Sequence, residues 1–467
     1  LREMLFQSIT AMAPGAAIAA SIPAGAAFAG GALPLAVIVA LVACLFAALS
    51  ISELARHLPG AGSVATYSSR GLHPTVGFLV AWGYVFVQAL VPTLLFLQLG
   101  FTMADTLHTE WDAYPDSLWW PWALLGAVII TVAGYRGVRT AARLGTILGA
   151  FEIIVFVALA VLLIIKAGDG NTLSVFTTAH TPSAYSGVTG VIAGSVYTVL
   201  AFSGFEAAAP LAEEAKFPRR TVRRAVVGAA LGIGLIYVFT TYAVAVYVGP
   251  DNFSSFGTSG PQSWAGIARA SYGLFWILVF LAVVNSTIAN ANAGANVSTR
   301  TAFALARVGV FPNALRRVHP TFRSPVVAIG VQFAIAVVVT LLLGFLFTPT
   351  TAFVLVATIV VVVVVAVYIV VNAACIGFFL RFRRDEFNWV THLLIPLLGI
   401  AAFVPALLTA AGVPVFSFVT PLTAPVSYAG PIVGVWMLIG VVYLVYLWKR
   451  HRQRVIDTGL VHLEEQP

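Results

Sequence analysis

The sequence predicts an all-α polytopic membrane protein of about twelve transmembrane helices. Of its 467 residues, 60% are hydrophobic and only 9% are charged, whereas a soluble domain carries about 25% charged residues. Apolar stretches of about 20 residues, the length that spans a bilayer as a helix, recur along nearly the whole chain. The arginines and lysines cluster in alternate links between those stretches, the bias that orients helical membrane proteins. A membrane β-barrel would instead alternate in segments of about ten residues, and no such pattern is present.

In order, the spans read as 8–31, 33–55, 76–103, 119–134, 141–165, 185–215, 221–248, 274–305, 325–347, 351–380, 389–411 and 428–448. The links are short, so residues 1–467 form one integral domain with no soluble module. Arg56 and Arg70 follow the second span, and Arg136, Arg139 and Arg143 follow the fourth. Lys216, Arg219, Arg220, Arg223 and Arg224 follow the sixth, and Arg300, Arg307, Arg316, Arg317 and Arg323 lie at or beyond the end of the eighth. Arg381, Arg383 and Arg384 follow the tenth, and Lys449, Arg450, Arg452 and Arg454 follow the last. Only Lys166 and Arg269 fall on the other side, whose largest early loop carries Asp105, Glu110, Asp112 and Asp116. The expected topology is therefore a multi-pass protein of the cell membrane with both termini cytoplasmic. The net charge of +8 is explained by this placement, and no nucleic-acid partner is expected. The lipid bilayer is the expected surrounding, and the pattern sets no oligomeric state. Cys44 and Cys375 lie inside apolar runs, so no disulfide framework is expected. The chain begins Leu1-Arg2-Glu3 and is expected to continue upstream; no signal peptide with a cleavage site is read.

Two spans are interrupted. The first, "SITAMAPGAAIAASIPAGAAFAGG", has Pro14-Gly15 at its middle and Pro23 and Gly25 further on. Proline removes a backbone donor and clashes with the preceding turn, and glycine lowers the cost of unwinding. The sixth carries Ser203-Gly204 beside Glu206. Breaks five spans apart fit two inverted five-helix repeats, here 8–165 and 185–380, with 389–448 adding helices eleven and twelve. Unwound backbone persists in a membrane only where protein, water or a ligand supplies hydrogen-bond partners. Half-helix N-termini favour anions and half-helix C-termini favour cations. The alternative for each break is a simple kink or close helix packing.

The stretch "AFSGFEAAAPLAEEAKFPRRTVRRA" from Ala201 resembles the sixth-helix signature of the amino acid–polyamine–organocation superfamily. "ALSISELARHLPGAGSVATYSSRGLHPTVGFLVAWGYVF" is similar to its second helix, first cytoplasmic loop and third helix, and "NANAGANVSTRTAFALARVGVFP" to the end of its eighth. The resemblance covers nearly the whole chain and weakens after about Pro325. It implies an amino acid permease: a secondary active transporter of amino acids or related amines, working by alternating access. The first helix departs from the family's Gly-Ser-Gly-Ile-Phe, since Gly15-Ala16-Ala17-Ile18-Ala19 stands there, without the serine hydroxyl and the second glycine. Val308 replaces an aspartate at the end of the eighth. The resemblance implies a substrate carboxylate near the backbone N–H groups around Ala16, Ala17 and Ile18. It implies an ammonium near carbonyls around Ala201, Phe202 and Ser203, with Phe202 as an aromatic lid and with Gly15 and Gly204 completing the substrate-binding set; the plain alternative for Phe202 is core or lipid-facing packing.

Three acids lie within or close to spans. Glu53 reads as a structural ion pair with Arg56. Glu206 beside the second break either supports that break or senses protons, the structural role weighing at least as heavily. Glu152 sits well inside the fifth span, where an ionisable group is costly and points to function. The resemblance places it at or beside a lysine that sodium-independent members carry. It is read as carrier of the coupled proton, holder of a cation or counter-charge to a substrate amine, against the plain reading of a neutral acid bonded to a carbonyl. In the eighth span Asn285, Ser286, Thr287, Asn290 and Asn292 are polar, and Ser286 and Asn290 share a face. Ser286, Thr287 and Asn290 form a possible sodium site, ranked below proton coupling because polar helix contacts are commoner. Trp82, Tyr84 and Gln88 are candidate cavity residues, Trp82 equally an interfacial anchor. The valine run 360–365 reads as filler.

No histidine pairs with a cysteine or shows metal-ligand spacing, so no enzyme, no metal and no cofactor is expected. No repeated filter or charged ring suggests a channel. A proton-coupled permease is the leading reading, a sodium-coupled symporter or an exchanger the alternative, and an ion channel or ion carrier ranks below both. Glu152 and Glu206 would suit a cationic amino acid or polyamine, with neutral amino acids left open.

Overall fold

A computed structural model describes residues 2–58, 63–136, 141–207, 218–322 and 324–459. The described residues are helical with no strand, because lipid leaves backbone groups no partners except those within a helix. We number the main helices α1 (Arg2–Met12), α2 (Leu33–His57), α3 (Pro74–Glu110), α4 (Trp120–Arg136), α5 (Ala141–Ala167) and α6 (Val188–Phe202). There follow α7 (Pro218–Val248), α8 (Phe275–Arg307), α9 (Val326–Leu346), α10 (Pro349–Phe382), α11 (Ile395–Ala411) and α12 (Ala429–Arg450). Eleven helices among the described residues are long and apolar enough to cross a membrane. The remaining span of the sequence reading is the interrupted first one, whose apolar helix Ser8–Ser21 is shorter.

The helices divide by what surrounds them. α3, α6 and α10 are largely enclosed by their neighbours, whereas α4, α9 and α12 turn apolar flanks outward. Val338, Leu342 and Leu346 of α9 and Val435, Leu438 and Val442 of α12 are exposed, an arrangement that needs lipid rather than water around it. The valines 360–365 of α10 are all buried. β-branched residues are weak helix formers in water, but in a membrane interior the helix is the only way to satisfy their backbone. Start signals are those the sequence offers: Pro74 and Pro349 occupy first-turn positions, capped by the side chains of His73 and Thr348, where a missing N–H costs nothing.

The charged ends converge on opposite faces of the bundle, as antiparallel spans require. At the arginine-rich face, Arg56 Nη1 donates to Glu53 Oε2 at 2.7 Å, as expected, while Arg223 Nη1 lies 3.3 Å from Glu53 Oε1 and His392 Nε2 3.7 Å from Oε2. The end of α2 is thereby joined to the start of α7 and to the turn preceding α11. His57 Nε2 lies 2.9 Å from Glu386 Oε2, and this hydrogen bond is the main cause that holds the Glu386 carboxyl below its ordinary value. At the other face Asp105 accepts from the Gly260 N–H at 3.0 Å, Arg269 pairs with Glu110, and His180 meets Asp251 at 2.7 Å. Residues 208–217, with Glu213 and Lys216 of the expected basic exit, lie outside the described residues, as do Arg139, Arg323 and the side chains of Arg143, Arg219 and Arg220.

Both interruptions are real breaks. α1 ends at Met12; Ala13 has φ +45°, the one non-glycine among the described residues in the left-handed region, and a new helical segment starts at Pro14. A residue before proline is pushed out of the right-handed helical region, so the proline places the break one residue ahead of itself. Beyond it the chain winds through a wide π turn at Ala17–Ser21 and a tight turn at Pro23–Gly25 before α2. α6 ends at Phe202, Ser203 is extended, and Gly204 has φ +111°. A Cβ on Gly204 would lie 2.7 Å from the backbone of Ala11. The second break is thus seated directly on the first.

Two side chains fasten them. The Tyr237 hydroxyl of α7 lies 3.0 Å from the Ala201 carbonyl and 3.4 Å from the Met12 carbonyl, touching the last turn of α6 and of α1 together. Ser8 of α1 donates to the Phe205 carbonyl at 2.8 Å.

Gly204→Ala is expected to lower thermal stability in detergent sharply. The left-handed backbone alone costs about 1–2 kcal/mol for a residue with a Cβ, and the contact with Ala11 adds to it. Gly232→Ala, in α7 with open space around it, is the control and is expected to be neutral or stabilising. Tyr237→Phe is expected to cost about 0.5–2 kcal/mol, the range of interhelical hydrogen bonds in membranes, read as a fall in unfolding temperature by intrinsic fluorescence.

Candidate functional site between the two breaks

A cavity of about 90 Å³ lies between the breaks and is walled by α3, α8 and α10. Ala11, Met12, Ala16, Ala17 and Ser21 line it from the first segment, and Leu200, Ala201, Ser203, Gly204, Glu206 and Ala207 from the second. α3 contributes Tyr84, Gln88 and Gln98, and α8 contributes Asn290 and Gly294. α8 approaches α3 closely because Gly294 has no side chain; a Cβ there would lie 2.5 Å from Val91. Val360 of the valine run forms part of the wall, so this stretch shapes the cavity as well as filling the interior.

Each break is held by a buried carboxylate. At the first, the Gly15 N–H donates to Glu152 Oε2 of α5 at 3.3 Å, and Asn285 of α8 donates to Oε1. Gly15 is tightly enclosed: a Cβ would sit 3.0 Å from Ser286 Cβ, 3.1 Å from the Ala282 carbonyl and 3.2 Å from Glu152 Oε2. At the second, the Gly204 N–H donates to Glu206 Oε2 at 3.1 Å, and the Tyr368 hydroxyl of α10 donates to the same oxygen at 3.0 Å. Other groups at the breaks are also paired. The Ala17 N–H bonds the Ala13 carbonyl, the Ser203 N–H bonds the Leu200 carbonyl, and Gln98 Nε2 donates to the Ala16 carbonyl at 3.0 Å.

Of the residues expected to bind substrate, the structure brings Ala16, Ala17, Ala201, Ser203 and Gly204 to the cavity. Gly15 and Ile18 lie behind it, Gly15 against Glu152 and Ile18 almost fully buried. Phe202, expected as an aromatic lid, does not line the cavity. Its ring is fully buried, edge-on to Tyr237 at 5.4 Å and against the face of α7 at Gly234, because its helical position turns it towards α7. The two acids differ in the same way: Glu206 lines the cavity and Glu152 does not. Among the cation-site candidates, Asn290 lines the cavity. Thr287 donates to the Val283 carbonyl of its own helix, and Ser286 is buried beside Gly15 and the Glu152 carboxylate. Tyr84 and Gln88 line the cavity as the sequence suggested. Trp82 does not: it stacks on Trp436 of α12 at 4.8 Å and donates to the Trp436 carbonyl, fastening α12 to α3.

Gln98, Tyr237 and Tyr368 were not foreseen. Gln98 left a trace in the sequence, an amide deep inside an apolar span, which is costly unless paired. A tyrosine in such a span gives no comparable signal, since it reads as an ordinary buried aromatic.

The family model for amino acid permeases matches residues 5–446. The chain is 26% identical over 435 residues to the low-affinity putrescine importer PlaP of Escherichia coli K12, covering 91% of this chain and 88% of the relative. It is 27% identical to the branched-chain amino acid permease BcaP of Bacillus subtilis, over 70% and 72% of the two chains. It is 26% identical to the methylthioribose transporter of the same organism, over 64% of each. With the match running through both breaks and every helix that walls the cavity, this chain belongs to the amino acid permease family, and it is a membrane transporter rather than an enzyme.

Proposed function

We propose that this permease moves amino acids or related amines across the cytoplasmic membrane by alternating access, coupled to protons. The observation that carries the reading is the small cavity held between two broken helices, each break stabilised by a carboxylate of the chain. Broken helices at mid-membrane are where transporters of this architecture bind solutes and coupling ions. The relatives named for putrescine and for branched-chain amino acids support a small nitrogenous solute. In this reading the amine lies towards Ser203 and Glu206. Residues 8–165 and 185–380 are the inverted repeats, and the arginine-rich face is cytoplasmic with both termini on that side.

Glu152 is the proposed proton carrier. Its two oxygens accept from the Gly15 N–H and from Asn285, so they link α5, α8 and the start of the second half-helix. A carboxylate is an acceptor only, and protonation turns one oxygen into a donor. Proton uptake would then weaken the hold on Gly15 and loosen the segment that borders the cavity. Ser286, buried beside Gly15 and the Glu152 carboxylate, and Asn290 at the cavity are the oxygen-bearing side chains on which the sodium alternative rests.

Substrate-driven pH change in proteoliposomes tests both. The wild type is expected to carry protons with its solute in sodium-free buffer. Glu152→Gln is expected to abolish proton movement while substrate binding survives. Proton coupling that persists in the variant would remove Glu152 from the role, and uptake that requires sodium would favour the alternative.

A further inference from the structure

α12 has one face against the bundle and one turned outward. Gly440, Leu444 and Leu447 are buried, Gly440 against the Trp82 ring. Leu438, Val442 and Val445 are exposed and, spaced three or four residues apart, form one stripe along the helix. The next position on that stripe is Lys449, also exposed. An apolar stripe of this kind requires hydrocarbon beside it. It leads directly into a basic cluster, Lys449, Arg450, Arg452 and Arg454.

We propose that this flank and the bend beyond it seat an anionic phospholipid from the leaflet on the arginine-rich side. An acyl chain lies along Leu438, Val442 and Val445, and the headgroup phosphate rests on Lys449, Arg450 and Arg452. Only the membrane setting of the chain enters here, not the transport reading.

α12 ends at Arg450, His451 leaves the helical region with φ −142° and ψ 46°, and a short helix, Arg452–Thr458, turns back onto the bundle. That helix is anchored. Arg454 Nη1 donates to the Gly309 carbonyl at 3.0 Å, Val455 is fully buried in one cluster with Phe78 and Trp82 of α3, and Gly459 lies against Ser69. Arg450 and Arg452 therefore flank a fixed bend rather than hang on a loose tail. Their guanidinium groups lie over aromatic rings, Arg452 4.5 Å from the centre of Trp448 and Arg450 5.8 Å from that of Tyr446. Tryptophan and tyrosine are the residues of the headgroup level. An arginine stacked in this way keeps its planar N–H fork for a phosphate, which it binds bidentately. Among the described residues no carboxylate pairs with Lys449, Arg450 or Arg452. Asp457, the acid of the short helix, accepts from Gln453 instead. Basic clusters just beyond a membrane helix attract anionic lipid, and a lipid phosphate is the anion whose own chains fill the apolar stripe. A zwitterionic headgroup carries its own cation and is the poorer match.

Native mass spectrometry of the full chain in neutral detergent, with equal amounts of palmitoyl-oleoyl phosphatidylglycerol and phosphatidylcholine, tests this. Phosphatidylglycerol is expected to be retained about tenfold over phosphatidylcholine. Arg450→Gln/Arg452→Gln, at two exposed positions, is expected to lower that preference about tenfold with its unfolding temperature unchanged. Should the double variant not fold, Lys449→Gln is expected to lower it about fivefold, and an unchanged preference there overturns the proposal. Arg383→Gln/Arg384→Gln removes the same charge from the same face and is expected to keep the preference. Equal retention of the two lipids by the wild type, or an equal fall in both double variants, overturns the proposal. A preference that appears only once residues 460–467 are removed also overturns it, because Glu464 and Glu465 would then be the occupants. A second copy of the chain is tested by cross-linking in proteoliposomes. Cys44 and Cys375 are buried, so Leu438→Cys provides the accessible thiol. Monomer is expected under oxidant, and a disulfide dimer in high yield would show protein rather than lipid on the stripe.

Discussion

The structure turns on the need to satisfy the backbone where two membrane helices are broken. In lipid an N–H group without a partner costs several kcal/mol, so a break can exist only if something accepts from it. This chain supplies the acceptors itself, Glu152 for Gly15 and Glu206 for Gly204. A carboxylate suits the task because it accepts several hydrogen bonds at once, and the positive end of a helix favours its charge. Each acid also gains a polar donor from a neighbouring helix, Asn285 of α8 for Glu152 and Tyr368 of α10 for Glu206. The breaks are thereby tied into the surrounding bundle rather than left as loose turns.

The two breaks also depend on one another. Gly204 lies against the backbone of Ala11 and leaves no room for a Cβ, and the Tyr237 hydroxyl touches a carbonyl from each segment. Close-packed interiors do not deform smoothly. A displacement of the α1 end is therefore felt at Gly204, and through Glu206 at Tyr368 in α10. This linkage couples the two breaks mechanically, so that a shift at one is felt at the other.

Much of this architecture was legible in the sequence, and what escaped it shares one cause. Hydropathy and arginine placement delineate the spans because lipid acts on each segment separately. Pro14 and Gly204 mark the breaks because their backbone restrictions are local, although the left-handed residue is Ala13, one place before the proline. Glu152 and Glu206 stand out because a carboxyl group in an apolar run needs a reason. What each acid holds was not legible, since Gly15 lies 137 residues from Glu152 in sequence. Phe202 shows the limit on the resemblance. A position can match a family's aromatic lid while the turn of this helix seals the ring against Tyr237 and Gly234. Tyr237 and Tyr368 are invisible from sequence for a related reason, because a hydroxyl at the end of a buried ring gains meaning only from what the fold places opposite it.

The two carboxylates differ in their relation to the cavity. Glu206 borders it. Glu152 sits behind Gly15, outside the cavity lining, against α8 at Asn285 and Ser286. The proposed proton role of Glu152 rests on this placement, since a group behind the half-helix can take up a proton without touching the contents of the cavity. The sequence alone weighed Glu206 as a support for the break at least as heavily as a proton sensor, and the hydrogen bond from the Gly204 N–H is what such a support would make. Its position makes both roles one: the carboxylate that receives the Gly204 N–H is the same group that faces the space between the breaks. Any group drawn to Glu206 would compete with Tyr368 and the Gly204 N–H for its oxygens, so the second break and the wall of the cavity depend on one side chain.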